Sequence, residues 1–330
     1  DDAGNLAIDI LKKSAASDKR ILIDSYSKGM VSDRFVYSPK NYFDKTFKNE
    51  VRATRNLPDT VESLGIQFKW TNPLGFGLLN FAGRNHKKII TIDSSICYIG
   101  GINFSDHNFT WHDMMLRIEN DSVTGFLEKD FLNTWAGKNQ SVSQAFPGIE
   151  LFSLDGVDNS SFFNVLYEKI DSAKKSILVE SPYLTFPFYG KLRAAKKRGV
   201  KIDLIIPQEN NKGFVQIYNQ WEAVRSGIYL WQFRKSMHHL KALLVDDEIL
   251  IIGSSNFDYI SYHAQQEIQA VITEENLIKD FKETILEPDY NNSDLFYGQA
   301  SKFIGPIIYI LMKLIGALLV IFSKGFRKKS

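Results

Sequence analysis

The pattern His-x-Lys-x-x-x-x-Asp occurs twice in this chain of 330 residues, as His86, Lys88, Asp93 and again as His239, Lys241, Asp246. After each copy and the same gap comes a run of small residues ending in Asn. These runs are Gly100-Gly101-Ile102-Asn103 and Gly253-Ser254-Ser255-Asn256. Equal spacings over several residue types mark an internal repeat. Such a repeat requires the two halves of the chain to build two copies of one unit.

The hydropathy pattern around the copies matches element by element. In the second half, helices are expected at 162–173, 189–198 and 214–225, with Gly199 stopping the second. Strands are expected at 176–180, 201–206 and 227–231, the last leading into the motif. The first half repeats this with a helix at 6–15 and strands at 20–24 and 65–70. It has no counterpart of the segment 162–180, so a helix and strand are expected upstream of Asp1, which reads as a truncation or processing point.

Each motif then opens a hairpin-like pair. Residues 88–93 and 96–100 flank Ser94-Ser95, and residues 241–245 and 248–252 flank Asp246-Asp247. Strands alternating with helices imply parallel pairing with helices on both faces. The expected fold class is therefore α/β: two tandem domains, each a mixed, mostly parallel sheet with helices on both faces, related by a pseudo-twofold axis. Residues 1–142 form the first domain, 143–300 the second, and 301–330 a C-terminal segment, with the junction within 139–148.

Composition excludes some alternatives. The lone Cys97, in the apolar run 96–99, rules out an intrachain disulfide framework and reads as a buried thiol. A net charge of +2 is too small to mark a nucleic-acid binder. The insertion 72–83, with Leu74, Phe76, Leu78, Leu79 and Phe81, is either packed core or a lipid-touching loop.

In an extended strand, residues two apart share a face. His86 and Lys88 therefore project together, as do His239 and Lys241. A pseudo-twofold axis would bring both pairs to one phosphate. One imidazole can attack phosphorus to form a phosphohistidine. The other can protonate the leaving oxygen and then deprotonate the incoming alcohol or water. Lys88, Lys241, Asn103 and Asn256 can donate to the phosphate oxygens. The nucleophile also needs its tautomer fixed by an acceptor on its other nitrogen. Asp113, ten residues after Asn103, and Glu267, eleven after Asn256, are matched candidates. Asp93 and Asp246 lie on the opposite strand parity and read as structural turn residues. The chemistry calls for no metal and no cofactor, and His107, His112, His238 and His263 lack metal-site spacing.

These residues resemble the phospholipase D superfamily over nearly the whole chain. Within it the chain is most similar to the bacterial cardiolipin synthase branch. The words that carry this are Arg84-Asn85-His86-Lys87-Lys88, Trp111-His112-Asp113, Arg117-Ile118-Glu119, Pro182-Tyr183 and Gly253-Ser254-Ser255-Asn256-Phe257-Asp258, with Phe131 and Trp135 in similar register. The chain departs from the branch at Ile260 and Gln265. The resemblance implies a phosphatidyltransferase that condenses phosphatidylglycerol into cardiolipin through a phosphatidyl-histidine. Hydrolysis by a phospholipase D or nuclease of the same superfamily is the alternative reading. A non-catalytic membrane scaffold is the third, and the complete motifs argue against it.

Residues 303–322 are the most apolar stretch, with a helix expected to start near Pro306. Lys302, Lys313 and Lys324 recur every eleven residues on one stripe. An apolar helix with one cationic stripe fits a position in the head-group layer, with a spanning helix or a buried core helix as alternatives. The basic tail favours anionic lipid and the cytoplasmic face of a bacterial inner membrane. Expected partners are thus anionic phospholipid and a membrane surface, not nucleic acid. The sequence carries no signal for oligomeric state.

Overall fold

The computed structural model describes residues 2–75, 78–300 and 302–327. Its centre is a nine-stranded sheet ordered Ser293–Leu295, Tyr229–Phe233, Lys201–Pro207, Ser176–Glu180, Ala242–Val245, Ile249–Gly253, Gln266–Ile272, Ile149–Asp155, Val142–Phe146. Alternation along these strands sends side chains to two cores. Ile177, Val179, Leu243 and Val245 pack under the helices Ser160–Ser172, Phe188–Lys197 and Gly213–Ser226. Leu178, Ala242, Leu244 and Ile268 face the opposite way. There they meet Cys97 and Ile99 of the first motif's hairpin and Val123 and Leu127 of the helix Asp121–Trp135. The second face of the large sheet is thus covered by the first half of the chain, and one apolar core holds the halves together.

The expected pairing sense is partly corrected. Parallel ladders occur between Ser176–Glu180 and Lys201–Pro207, and between Lys201–Pro207 and Tyr229–Phe233. The other pairings of the large sheet are antiparallel. In two of them, Ala242–Val245 with Ile249–Gly253 and Val142–Phe146 with Ile149–Asp155, the reason is the connection length, since strands joined by a short turn fold back on themselves. In the first half, Arg20–Asp24 pairs in parallel with Gln67–Thr71. The strands Ile89–Ile92, Ile96–Gly100 and Met115–Glu119 form an antiparallel meander. The stretch expected as a plain junction contains the edge strand Val142–Phe146, which pairs with Ile149–Asp155 across Gly148.

Both motif Asp residues sit in the turns of these hairpins. Asp93 and Ser94 have φ of 50° and 54°, and Asp246 and Asp247 have 54° and 61°. Two successive left-handed residues are the signature of a tight hairpin turn whose twist matches its strands. The Asp246 carboxylate also accepts from the backbone N–H groups of Lys174, Lys175 and Ser176, at 2.9, 2.7 and 2.9 Å. Burial raises its pKa, but these donors outweigh it and hold the carboxyl below its usual range. This arrangement ties the turn to the neighbouring strand.

The insertion packs more than it protrudes. The Phe81 ring lies 5.0 Å from Tyr26, and Ala82 is buried against Ala264 and Val320. Leu79 remains exposed, while Phe76 lies outside the described residues.

The C-terminal helix Ile304–Arg327 docks along one side of the body. Ile308, Tyr309 and Met312 pack on the core, and Val320 and Ser323 are buried. A Cβ at Gly305 would overlap the Trp221 ring, and Gly316 lies against Tyr259. The stripe expected to face head groups turns partly toward the protein, where Lys313 lies 5.3 Å from the centre of the Tyr309 ring. The opposite face, with Ile307, Leu311, Leu314, Leu318 and Ile321, is exposed. By length and apolar composition the helix could also cross a membrane.

Candidate active site

Strand alternation sorts the first motif. Lys87, between His86 and Lys88, points the other way, to the buried Asp130 carboxylate at 2.8 Å and to Ser153 Oγ at 2.9 Å. In the second motif the same place is taken by Leu240, fully buried in the shared core. The catalytic-type residues are left on the common face. Lys88 Nζ donates to the carbonyl of His86 at 2.8 Å, and Lys241 Nζ donates to the carbonyl of His239. The two motifs therefore hold their ammonium groups by the same local contact.

The orienting carboxylates come from opposite halves. His86 Nδ1 lies 3.1 Å from both oxygens of Glu267, and His239 Nδ1 lies 2.7 Å from Asp113 Oδ2. Backbone bonds create this exchange. The His86 N–H donates to the Gln266 carbonyl at 2.9 Å, and the Gln266 N–H donates to the Arg84 carbonyl at 2.8 Å. In the mirror arrangement, the His112 N–H donates to the Met237 carbonyl at 2.9 Å and the His239 N–H to the His112 carbonyl at 2.7 Å. Each carboxylate stands one residue beyond such a bridge. The sequence offered Asp113 and Glu267 as orienting groups; the structure determines which histidine each one serves.

The small-residue words support these carboxylates. Ser254 Oγ donates to Glu267 at 2.5 Å. At the equivalent place in the first half, a Cβ on Gly101 would overlap the Asp113 carboxylate. Glycine is required there because the shorter Asp side chain brings its carboxylate close to the backbone. Asn256 is buried, with its Oδ1 left without a hydrogen-bond partner. Asn103 is half-buried in the loop after Ile96–Gly100.

Both imidazoles are nearly buried, and desolvation is the main influence on them. Burial, then the Lys88, Arg84, Lys241 and Lys212 charges, holds His86 well below the usual histidine range. Burial and Lys241 push His239 down to about 3, against the opposing pull of Asp113. Each ring is therefore neutral at pH 7, with its Nδ1 on a carboxylate. Lys241 Nζ lies 2.9 Å from Nδ1 and 3.3 Å from Nε2 of His239. Lys88 and Lys241 each act on both histidines, so the four groups share one cleft. Burial brings Lys88 down to about 7 and raises Glu267 to about 7. The site is thus desolvated and rich in cations, and an arriving phosphate anion would restore charge to the imidazole and ammonium groups.

Several site residues have no signal in the sequence spacing. The Trp111 ring lies 4.9 Å and the Tyr183 ring 6.0 Å from His239, walling the cleft. Behind His239, His238 Nε2 lies 2.9 Å from Glu180 Oε2 and 3.3 Å from Asp289 Oδ2, and His112 Nε2 is 2.8 Å from the same Asp289 oxygen. Spacing along the chain shows no such cluster, yet donor atoms of His112, His238 and Asp289 lie within 4.8 Å of one another. Burial alone would lower His238, but the hydrogen bonds to Asp289 and Glu180 raise it to about 9. This network fixes His112 and His238, and through them the bridge that places Asp113.

Two α/β units whose repeated motifs meet in a shared cleft, each histidine held by a carboxylate of the other unit, define the phospholipase D-like class of protein. The chain belongs to the family described as "Cardiolipin synthase, PLD-like domain", which matches residues 8–135 and 166–287 and takes in both motifs. It is 28% identical over 291 residues to cardiolipin synthase 1 of Staphylococcus aureus (strain MRSA252), covering 76% of this chain and 59% of the relative. It is 29% identical over 261 residues to cardiolipin synthase 1 of Staphylococcus epidermidis (strain ATCC 12228), covering 71% of this chain and 53% of the relative. The chain therefore spans between half and three-fifths of these curated relatives. In fold it is similar to the crystal structure of phosphatidylserine synthase from Haemophilus influenzae Rd KW20, with a TM-score of 0.66 at 11% identity, covering 97% of this chain and 92% of that one.

Proposed function

We propose that this chain is a phosphatidyltransferase that joins two phosphatidylglycerols into cardiolipin and releases glycerol. The observation that carries the reading is the pair of carboxylate-held, neutral imidazoles in one cleft, each beside an ammonium group. Nε2 of one histidine attacks phosphorus, and the bond to the glycerol oxygen breaks as the other histidine supplies its proton. The resulting phosphatidyl-histidine is then attacked by the hydroxyl of a second lipid, whose proton returns to that second imidazole. Lys88, Lys241, Asn103 and Asn256 hold the phosphate oxygens, and Asp113 and Glu267 keep each Nδ1 protonated. Domains 1–142 and 143–300 supply one motif each, and the segment 301–330 supplies the lipid contact.

The exposed apolar face of Ile304–Arg327 supports work at a membrane surface. Lys302, Lys313 and Lys324 favour an anionic leaflet, and so a cytoplasmic face. The test is incubation with phosphatidylglycerol vesicles and separation of the products by mass. A product with two phosphates and four acyl chains is expected. Phosphatidic acid as the sole product would replace transfer by hydrolysis, and no turnover of any phosphodiester would leave a scaffold.

Asp113→Asn keeps the shape of the orienting group and removes its charge. It is expected to lower kcat on the order of 10²-fold, the lower end of what a positioned acid–base group contributes. KM should change little, because Asp113 does not touch the lipid. Steady-state kinetics with an unchanged kcat would remove Asp113 from the orienting role.

A further inference from the structure

Beyond the two motif lysines, two further cations stand by the site. Arg84 stands two residues before His86, and its guanidinium lies over the Tyr26 ring at 3.6 Å. Its Nε is buried without a hydrogen-bond partner. Lys212, at the start of the helix Gly213–Ser226, lies over the Tyr183 ring at 4.0 Å, and Tyr183 in turn faces His239. Among the described residues, no carboxylate oxygen lies within 4.0 Å of Arg84, Lys88 or Lys212. Lys241 does have one, Asp113 Oδ2, at 3.7 Å. The charges of Arg84 and Lys212 reach each other and His86. Arg84, over Tyr26, thus flanks the first motif, and Lys212, over Tyr183, the second. Asp258 and Asp33 act on Lys212, and Glu267 and Asp113 on Lys88, only from beyond ion-pair distance. A cation held in a partly desolvated place with no carboxylate in contact gains when a ligand brings an anion to it.

Lys88 and Lys241, each beside its histidine, suffice for the phosphate under attack. We propose that Arg84 and Lys212 form a second anion subsite that holds the phosphodiester of the acceptor lipid. The acceptor's own phosphate then positions its free hydroxyl for the second step. In that step the hydroxyl oxygen bonds to phosphorus, the histidine N–P bond breaks, and the proton passes to the other imidazole. The product carries one phosphate on Lys88 and Lys241 and the other on Arg84 and Lys212. An anionic glycerophospholipid is thereby favoured over water and over neutral alcohols. This inference rests on the transfer reading above.

The test is a partition experiment. Phosphatidylglycerol vesicles are offered with ethanol as a neutral competing acceptor, and the ratio of two-phosphate lipid to phosphatidylethanol is measured. Lys212→Ala and Arg84→Gln are each expected to lower that ratio about tenfold, the order of one charge-assisted hydrogen bond. Lys212→Arg should restore it. A ratio equal to that of the unsubstituted protein in both variants overturns the subsite, whether the two products fall together, as they would if these cations held the donor phosphate, or do not fall. Failure of the transfer reading looks different. It would appear in the unsubstituted protein itself, as phosphatidic acid and no two-phosphate lipid when ethanol is omitted, and it would overturn the subsite as well.

Discussion

Alanine at either His86 or His239 is expected to lower turnover of phosphatidylglycerol by at least on the order of 10³-fold, because in the proposed reaction each removes one of two non-redundant roles. The fold should survive both changes. The bridges that position these residues are backbone bonds, from the His86 N–H to Gln266 and from the His239 N–H to His112, and a side-chain truncation leaves them in place. Thermal melting of each variant controls for this. The two variants should differ when the leaving group needs no proton. With a nitrophenyl phosphodiester, the variant lacking the proton donor regains a burst of nitrophenol, while the variant lacking the nucleophile does not. Near-normal turnover by either variant on phosphatidylglycerol would end the shared-site account.

The second large effect is expected at the membrane. Ile307, Leu311, Leu314 and Leu318 lie on one stripe of the C-terminal helix and are 57%, 50%, 59% and 53% exposed. Replacing all of them by Gln should weaken partition into phosphatidylglycerol vesicles by roughly 10³-fold, at about 1 kcal/mol for each half-buried aliphatic side chain. Turnover of a soluble short-chain phosphodiester should stay within about twofold, since the cleft is built by other elements. These substitutions are a cleaner test than deleting the helix. Deletion would strip Trp221 and Tyr259 of the surface that covers them and confound folding with binding. If vesicle binding is unchanged in a sedimentation assay, lipid contact lies elsewhere. The exposed Tyr42 and Phe43 are then the next residues to change.

How far the sequence reached is clearest at the site. The motif residues, their common strand face and the two hairpins follow from spacing alone, because side-chain direction in a strand depends only on parity. The second turn, Asp246-Asp247, follows for the same local reason, while the first, expected at Ser94-Ser95, has its left-handed residues one place earlier, at Asp93 and Ser94. The helices at 160–172, 188–197 and 213–226 were legible from apolar periodicity and, for the second, from Gly199 at its end. Gly227, read as the start of a strand, is instead the left-handed cap of the third. The edge strand Val142–Phe146 was hidden, because its burial is slight and its polar composition reads as a linker.

The sequence by itself determined that this chain is a duplicated α/β protein with two imidazole–ammonium pairs and two candidate orienting carboxylates, all properties of local spacing. The tertiary structure alone decided which carboxylate serves which histidine. Glu267 and His86 are 181 residues apart, and Asp113 and His239 are 126 apart. No local propensity operates over such distances. The pairing arises because the first half packs on the far face of the large sheet through Cys97, Ile99, Val123 and Leu127. That shared core brings Gln266 to Arg84 and His112 to Met237, and the backbone hydrogen bonds made there set the site.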